Sequence, residues 1–228
     1  MLAAFIRARA PKVLPGLSGG ELVRLEARLG VRLPADVRAL MGEVGGYQPC
    51  EGSDFGEPVS FRWDEELWPW FPRVFPASLV LKPSGCGDYW VLDVDPETGA
   101  CGHVVLASHD PPSIRFHFRS LEEFAAKTLD PEFDLQQYDA LTDRDCPKSG
   151  MPAAEARSVA DPIVREFAAT LADSYHIFDL RCQALPCGFY WADEDPDSDN
   201  VRWKRELLFA SERKPRVSLW ERVRRAIL

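Results

Sequence analysis

The sequence predicts an α+β fold: a helical hairpin and further helices packed on one face of a mostly antiparallel sheet, followed by a C-terminal α/β extension. Three observations predict it. Residues 18–46 carry two apolar stripes at helical spacing, each with its own start and stop signals. Residues 89–118 hold three β-forming runs separated by turns rich in Asp, Pro and Gly. Ser120 then opens a helix in which Leu121, Phe124, Ala125 and Leu129 share a face.

Taken in order, residues 1–17 read as a leader helix or arm broken at Pro11 and Pro15. Ser18 and Glu21 form a capping box ahead of Leu22, Leu25 and Leu29, and Gly30 is placed to close that helix in a left-handed conformation. Pro34 stands at the start of the next helix, where its missing N–H costs nothing; Val37, Leu40, Met41 and Val44 make its stripe, and Gly45-Gly46 is read as its stop. Tyr47 to Pro58 reads as a loop, and Val59 to Trp63 alternates like a short strand. The stretch 64–76, DEELWPWFPRVFP, sets three acids among four large aromatics, and its prolines forbid a regular helix or central strand. It is a shaped loop whose aromatics either cap the core or face a partner.

Tyr89 to Val94 is strongly β-forming, Asp95 to Gly99 is a turn, and Gly102 to Ala107 returns as the second strand of a hairpin. A turn at His109 to Pro112 leads to a third strand at Ile114 to Phe118, and Ser120 with Glu123 makes a second capping box. Phe133 to Ala153 is rich in acids, Pro and Gly. Asp161-Pro162 starts an amphipathic helix carrying Ile163, Val164, Phe167, Ala168 and Leu171 and ending near Ser174. Strand-like runs follow at His176–Leu180, Phe189–Ala192 and Val201–Ala210, and Leu219, Trp220, Val223 and Ile227 share one face of a last helix. The domain plan read from this order is 1–132 as the principal domain, 133–158 as linker and 159–228 as an extension or small second lobe.

An amphipathic helix ending in Leu29-Gly30, then Leu33-Pro34-Ala35-Asp36, then a short helix ending in Gly45-Gly46, resembles the opening of the SUKH superfamily. Gly87-Asp88-Tyr89-Trp90-Val91-Leu92-Asp93, Gly102-His103-Val104-Val105 and Ser120-Leu121-Glu122-Glu123-Phe124 follow in that family's order, so the resemblance spans roughly residues 18–130. The long stretch 47–84, rich in Trp and Pro, and the chain after the last matched helix depart from the family pattern. The family includes fungal cell-wall regulators and bacterial immunity proteins that neutralise toxins. The resemblance implies an immunity protein: no catalysis, no cofactor, and a cognate toxin as partner, a nuclease or another nucleic-acid-targeting effector with a basic cleft.

Composition agrees with a protein partner. The 228 residues carry a formal charge of −9. The acid excess lies early: residues 1–150 hold 15 Lys+Arg against 23 Asp+Glu, while residues 151–228 hold 12 against 13. Such a surface disfavours nucleic acid and anionic membrane, and attracts a basic protein. No apolar run approaches the roughly 20 residues that span a bilayer. In MLAAFIRARAPK the basic residues follow the apolar ones, the reverse of a signal peptide, so a cytoplasmic location is expected.

The contact surface expected from these features is Asp54, Glu57, Asp64, Glu65, Glu66, Trp68 and Trp70, where steering charge sits beside large anchors in a proline-stiffened segment. The alternatives are a regulatory scaffold acting on the cell's own proteins and an enzyme built on Cys86 with His103 or His109, although no nucleophile elbow, P-loop or HExxH motif occurs. The cysteines Cys50, Cys86, Cys101, Cys146, Cys182 and Cys187 have no metal-site spacing and are expected as free thiols. Asp193, Asp195, Asp197 and Asp199 alternate like calcium ligands. Pro196 interrupts them, and Lys204 stands where a bidentate Glu is needed, so a solvated hairpin tip is expected and no metal.

Overall fold

The computed structural model describes residues 1–50, 57–62, 67, 71–83, 87–109, 112–134, 147, 149–191 and 199–213. Among them seven helices and three antiparallel sheets build the α+β fold. None of these helices is long and apolar enough to cross a membrane.

The N-terminal part holds α1 (Leu2–Arg9), β1 (Val13–Pro15), α2 (Gly19–Leu29), α3 (Ala35–Glu43), β2 (Val44–Tyr47) and β3 (Val59–Ser60). The capping box forms as expected: Ser18 Oγ accepts from the Glu21 N–H at 3.3 Å, and Glu21 Oε2 accepts from the Ser18 N–H at 2.7 Å. Gly30 ends α2 at φ 70°. Pro34 stands one position outside α3, at its N-cap, and its side chain makes no cap hydrogen bond. The expected stop at Gly45-Gly46 is instead the middle of β2, which pairs with β1 on one side and β3 on the other. Both glycines are needed there. A Cβ on Gly45 would lie 2.1 Å from the Pro15 carbonyl oxygen, and one on Gly46, whose φ is 151°, would lie 2.2 Å from that of Val59.

The central sheet runs β10-β7-β6-β5-β4. Its strands β4 (Ala77–Pro83), β5 (Tyr89–Val94), β6 (Cys101–His109) and β7 (Pro112–Phe118) are consecutive, and α5 (Leu121–Thr128) follows. Strand β4 has no alternating pattern because both of its faces are buried, the setting in which periodicity vanishes. The proline-rich stretch does hold one regular turn, α4 (Phe71–Val74). Pro72 is tolerated in it because the first turn makes no use of its N–H. Ser120 caps α5 by accepting from the Glu123 N–H, but Glu123 accepts in return from Arg119, one residue outside the expected box.

One face of the central sheet carries Leu79, Leu81, Leu92 and Val104 and packs on α2 through Leu22, Leu25 and Leu29, on α3 through Met41 and on α5 through Phe124. The opposite face carries Val80, Val91, Val105 and Phe116, and chain from later in the sequence covers it. That later chain holds β8 (Met151–Pro152), α6 (Ala153–Ala156), α7 (Pro162–Ala169), β9 (Tyr175–Asp179), β10 (Cys187–Tyr190), β11 (Asn200–Arg202) and β12 (Leu208–Glu212). Strand β10 joins the central sheet beside β7, with Cys187 opposite Phe116. The others form a second sheet, β11-β12-β9-β8. This sheet is two-sided: Phe178 and Phe209 point at the central sheet, whereas Ile177, Leu208 and Ala210 point out at Val164, Phe167 and Ala168 of α7. The helix α7 is capped by Asp161, which accepts from the N–H groups of Ile163 and Val164, and it ends at Ala169 rather than near Ser174. Ile163, expected in its apolar stripe, is exposed.

The two sheets are joined by an ion pair as well as by apolar contact. Arg202 Nη1 reaches Asp93 Oδ2 at 2.9 Å, with side chains 7% and 3% exposed. The Arg202 guanidinium also lies 5.4 Å from the ring centres of both Phe75 and Phe209. The last helix expected at 219–227 and the acidic residues 193–198 lie outside the described residues. Asp199, which follows them, pairs with Arg73 and accepts from the Tyr175 hydroxyl at 2.7 Å.

Candidate functional site

Of the residues expected to meet a partner, Glu57 is described and exposed; Asp54, Asp64, Glu65, Glu66, Trp68 and Trp70 lie outside the described residues. What is described is how the chain on either side is held. Upstream, β3 pairs with β2, and Phe61 is buried in the helix-side core. Arg62 then grips the hairpin: its Nε donates to Glu21 Oε1 at 3.0 Å and its Nη2 donates to the Gly16 carbonyl oxygen at 3.0 Å. Downstream, Phe71 and Phe75 stack at 4.8 Å on the opposite face of the central sheet. Leu67, between these anchor points, packs against that second core. Glu57 also acts on the interior. Burial pulls the Lys82 ammonium down to about 8, and the Glu57 carboxylate opposes that shift.

The Arg62 anchor completes a surface that sequence reasoning missed. A groove of about 500 Å3 runs along α2, with Leu17, Leu25 and Phe61 beneath it and Glu21, Arg24, Arg28 and Arg62 around it. Glu21, Arg24 and Arg28 follow one another at i, i+3 and i+7, so they share a helix face beside the apolar stripe of Leu22, Leu25 and Leu29. Arg62 comes from 34 residues beyond Arg28 and reaches the groove only through the β2–β3 pairing. Hydrogen bonds from the Ser18 backbone and hydroxyl, with the Arg62 contact, hold the Glu21 carboxyl down at about 2, so it is ionised throughout the physiological range.

The histidines considered for catalysis do not share a site. His103 and His109 are six residues apart on β6, about 20 Å at strand rise. His103 meets Phe116 edge-on at 5.7 Å, and burial holds its pKa below the ordinary value. His109 Nδ1 lies 2.7 Å from Asp88 Oδ1; Asp88 also accepts from the His109 N–H and from Ser108 Oγ, both at 2.9 Å. Asp88 therefore ties the start of β5 to the end of β6. Cys86 lies outside the described residues. Of the described thiols, Cys101, Cys182 and Cys187 are free. Burial pushes Cys101 up to about 12 and Cys187 to about 11, the opposite of what a nucleophilic thiolate requires. No group of three or more His, Cys, Asp or Glu among the described residues is placed to hold a metal.

Residues 16–127 match the SMI1 / KNR4 family (SUKH-1), a span that runs from the entry to α2 almost to the end of α5. No curated protein and no solved structure matches the chain. The matched span is the helical hairpin, the consecutive strands of the central sheet and the helix that closes them, and over those residues the chain belongs to the SUKH superfamily, whose members include immunity proteins.

Proposed function

We propose that the protein is an immunity protein that binds a cognate bacterial toxin and blocks it by direct contact, without catalysis or cofactor. The observation that carries this reading is the SUKH match across residues 16–127. The acid surplus of residues 1–150 supports a toxin with a basic active-site cleft, as in a nuclease or other nucleic-acid-targeting effector, and argues against nucleic acid or membrane as the partner. The contact surface is Asp54, Glu57, Asp64, Glu65, Glu66, Trp68 and Trp70. Fixed anchors at Arg62 and at Phe71 support it, because a segment held at both ends loses less freedom on docking.

Co-expression with the toxin encoded beside it tests the function: the protein should restore growth and co-purify with that toxin at fixed stoichiometry. Growth arrest despite soluble expression of both would refute the reading. Binding kinetics then test the surface. Asp64→Lys with Glu65→Lys should slow association and flatten its salt dependence. Trp68→Ala should raise the dissociation rate about a hundredfold, the loss of a hot spot of roughly 2–3 kcal/mol. Normal kinetics in both variants would place the interface elsewhere.

A further inference from the structure

We propose that His103 and Asp93 of the central sheet form, with Arg202 of the second sheet, an acid-operated latch: a neutral His103 leaves the Asp93 carboxylate to Arg202 and the second sheet stays closed, whereas a protonated His103 takes that carboxylate and lets the second sheet open. The latch is independent of the toxin reading. Its central-sheet half is built by an irregularity in the β5–β6 pairing. Leu92 pairs with Val104 and Val94 with Cys101, so Gly102 and His103 together lie opposite Asp93. A Cβ on Gly102 would stand 3.5 Å from Asp93 Oδ2, so the carboxylate lies against the strand one residue before the histidine. That same oxygen accepts from Arg202 Nη1 at 2.9 Å. The rest of the guanidinium belongs to the other half. Its Nε donates to the Glu206 carbonyl oxygen and its Nη2 to that of Arg205, both at 3.0 Å, so Arg202 is fixed to the turn of its own hairpin and moves with the second sheet. Each sheet thus brings one basic group to a single buried carboxylate.

Charged groups reach His103 from four places. Asp93 of β5 and Glu123 of α5 favour the imidazolium; Arg202 of β11 and Arg119, next to the end of β7, oppose it. Burial outweighs each of them and keeps the closed-state pKa below the ordinary 6.5. The open state restores the ordinary value, so protons favour opening as pH falls below 6.5, and above it the latch is shut. Once the imidazolium holds Asp93, Arg202 is a buried cation without a counter-charge, a condition that opening relieves by hydrating it. Opening separates Phe178 and Phe209 from Val91, Val105 and Phe116.

The test is amide hydrogen exchange of the full chain by mass spectrometry at about pH 7.5 and about pH 5.5, each rate divided by the intrinsic rate at that pH. Peptides from β9 and β12 should open about three- to tenfold more at the lower pH, tenfold being the most that one group of ordinary value 6.5 supplies one unit below it. Peptides from α2 should change by less than about twofold. His103→Gln should keep the protection seen at the higher pH and lose the acid response. Arg202→Met should reverse it: a protonated His103 is then the counter-charge that Asp93 lacks, so β9 and β12 open less in acid. Loosening by a buried imidazolium alone gives no such change of sign. The proposal is overturned by an acid response absent in the parent, by one that persists in His103→Gln, or by an Arg202→Met protein that opens further in acid. If Arg202→Met does not fold, His103→Gln decides alone.

Discussion

On one face of the central sheet, Leu79, Leu81 and Leu92 lie under Leu22, Leu25 and Leu29 of α2, and the helix-side contact is largely aliphatic. On the other face, Phe75, Phe116 and Phe209 pack ring to ring at 5.5–6.3 Å, Phe189 stacks on Phe209 at 5.0 Å, and Arg202 is buried among them against Asp93. The helices α2, α3 and α5, which flank the strands β4–β7 in sequence, cover the first face. The second is closed by strands that return from as far as residue 212, and it contains a charge that only one partner can neutralise. The first face is therefore tolerant of repacking, and the second depends on registration.

The comparison would break most visibly at Arg202. Arg202→Ala leaves the Asp93 carboxylate buried without a counter-charge and should cost about 3–5 kcal/mol by chemical denaturation. Replacing both partners, Asp93→Leu with Arg202→Met, should return stability to within about 1 kcal/mol of the parent, because it is the broken pair that is costly. A double variant as unstable as the single one would show that registration is not what the pair supplies. On the helix side, Leu25→Ala should cost about 3 kcal/mol, with no comparable rescue by a second change. Ser18→Ala should cost about 1 kcal/mol, measured as a lowered midpoint with unchanged denaturant slope, since it removes one cap.

Acid should distinguish the faces by pH window. The His103 pKa is lowered in the folded protein, first by burial, so folding favours the neutral ring. Its contribution is present above the ordinary value of 6.5 and is lost as pH falls below it. Glu21 is held at about 2 against an ordinary 4.5, so what it contributes is present above 4.5 and is lost only as pH falls toward 2. Amide exchange at descending pH should therefore release β9 and β12 before α2. Simultaneous release, or the same order in His103→Phe, would remove His103 as the cause.

The same contrast explains what was legible. Caps and stripes are local, so α2, α5 and the start of α7 could be read from Ser18, Glu21, Ser120 and Asp161 alone. Strands β5, β6 and β7 could be read from composition and turns. Unread were β4, which is buried on both faces and lacks alternation, and β2, whose glycines signal a stop unless the neighbouring strands are known. The pairing of β10 with β7 and of Arg202 with Asp93 depends on chain separated by 71 and 109 residues respectively, and no local pattern carries that. Of the expected contact residues Glu57 is described and exposed, while the groove beside α2 needed Arg62 brought alongside that helix by the fold, which no local pattern carries.

The late arrival of the second cover has a consequence for biosynthesis. The ribosome completes β7 at Phe118 well before it reaches β12 at Leu208–Glu212. At ordinary elongation rates that interval is on the order of ten seconds. For that time Val80, Val91, Val105 and Phe116 form an apolar sheet surface covered only by Phe71, Val74 and Phe75, without the later strands, and the outer edge of β7 awaits β10. A nascent chain in this condition is a substrate for chaperones that recognise exposed apolar sheet, and a premature stop anywhere between the two would leave the exposed surface permanent.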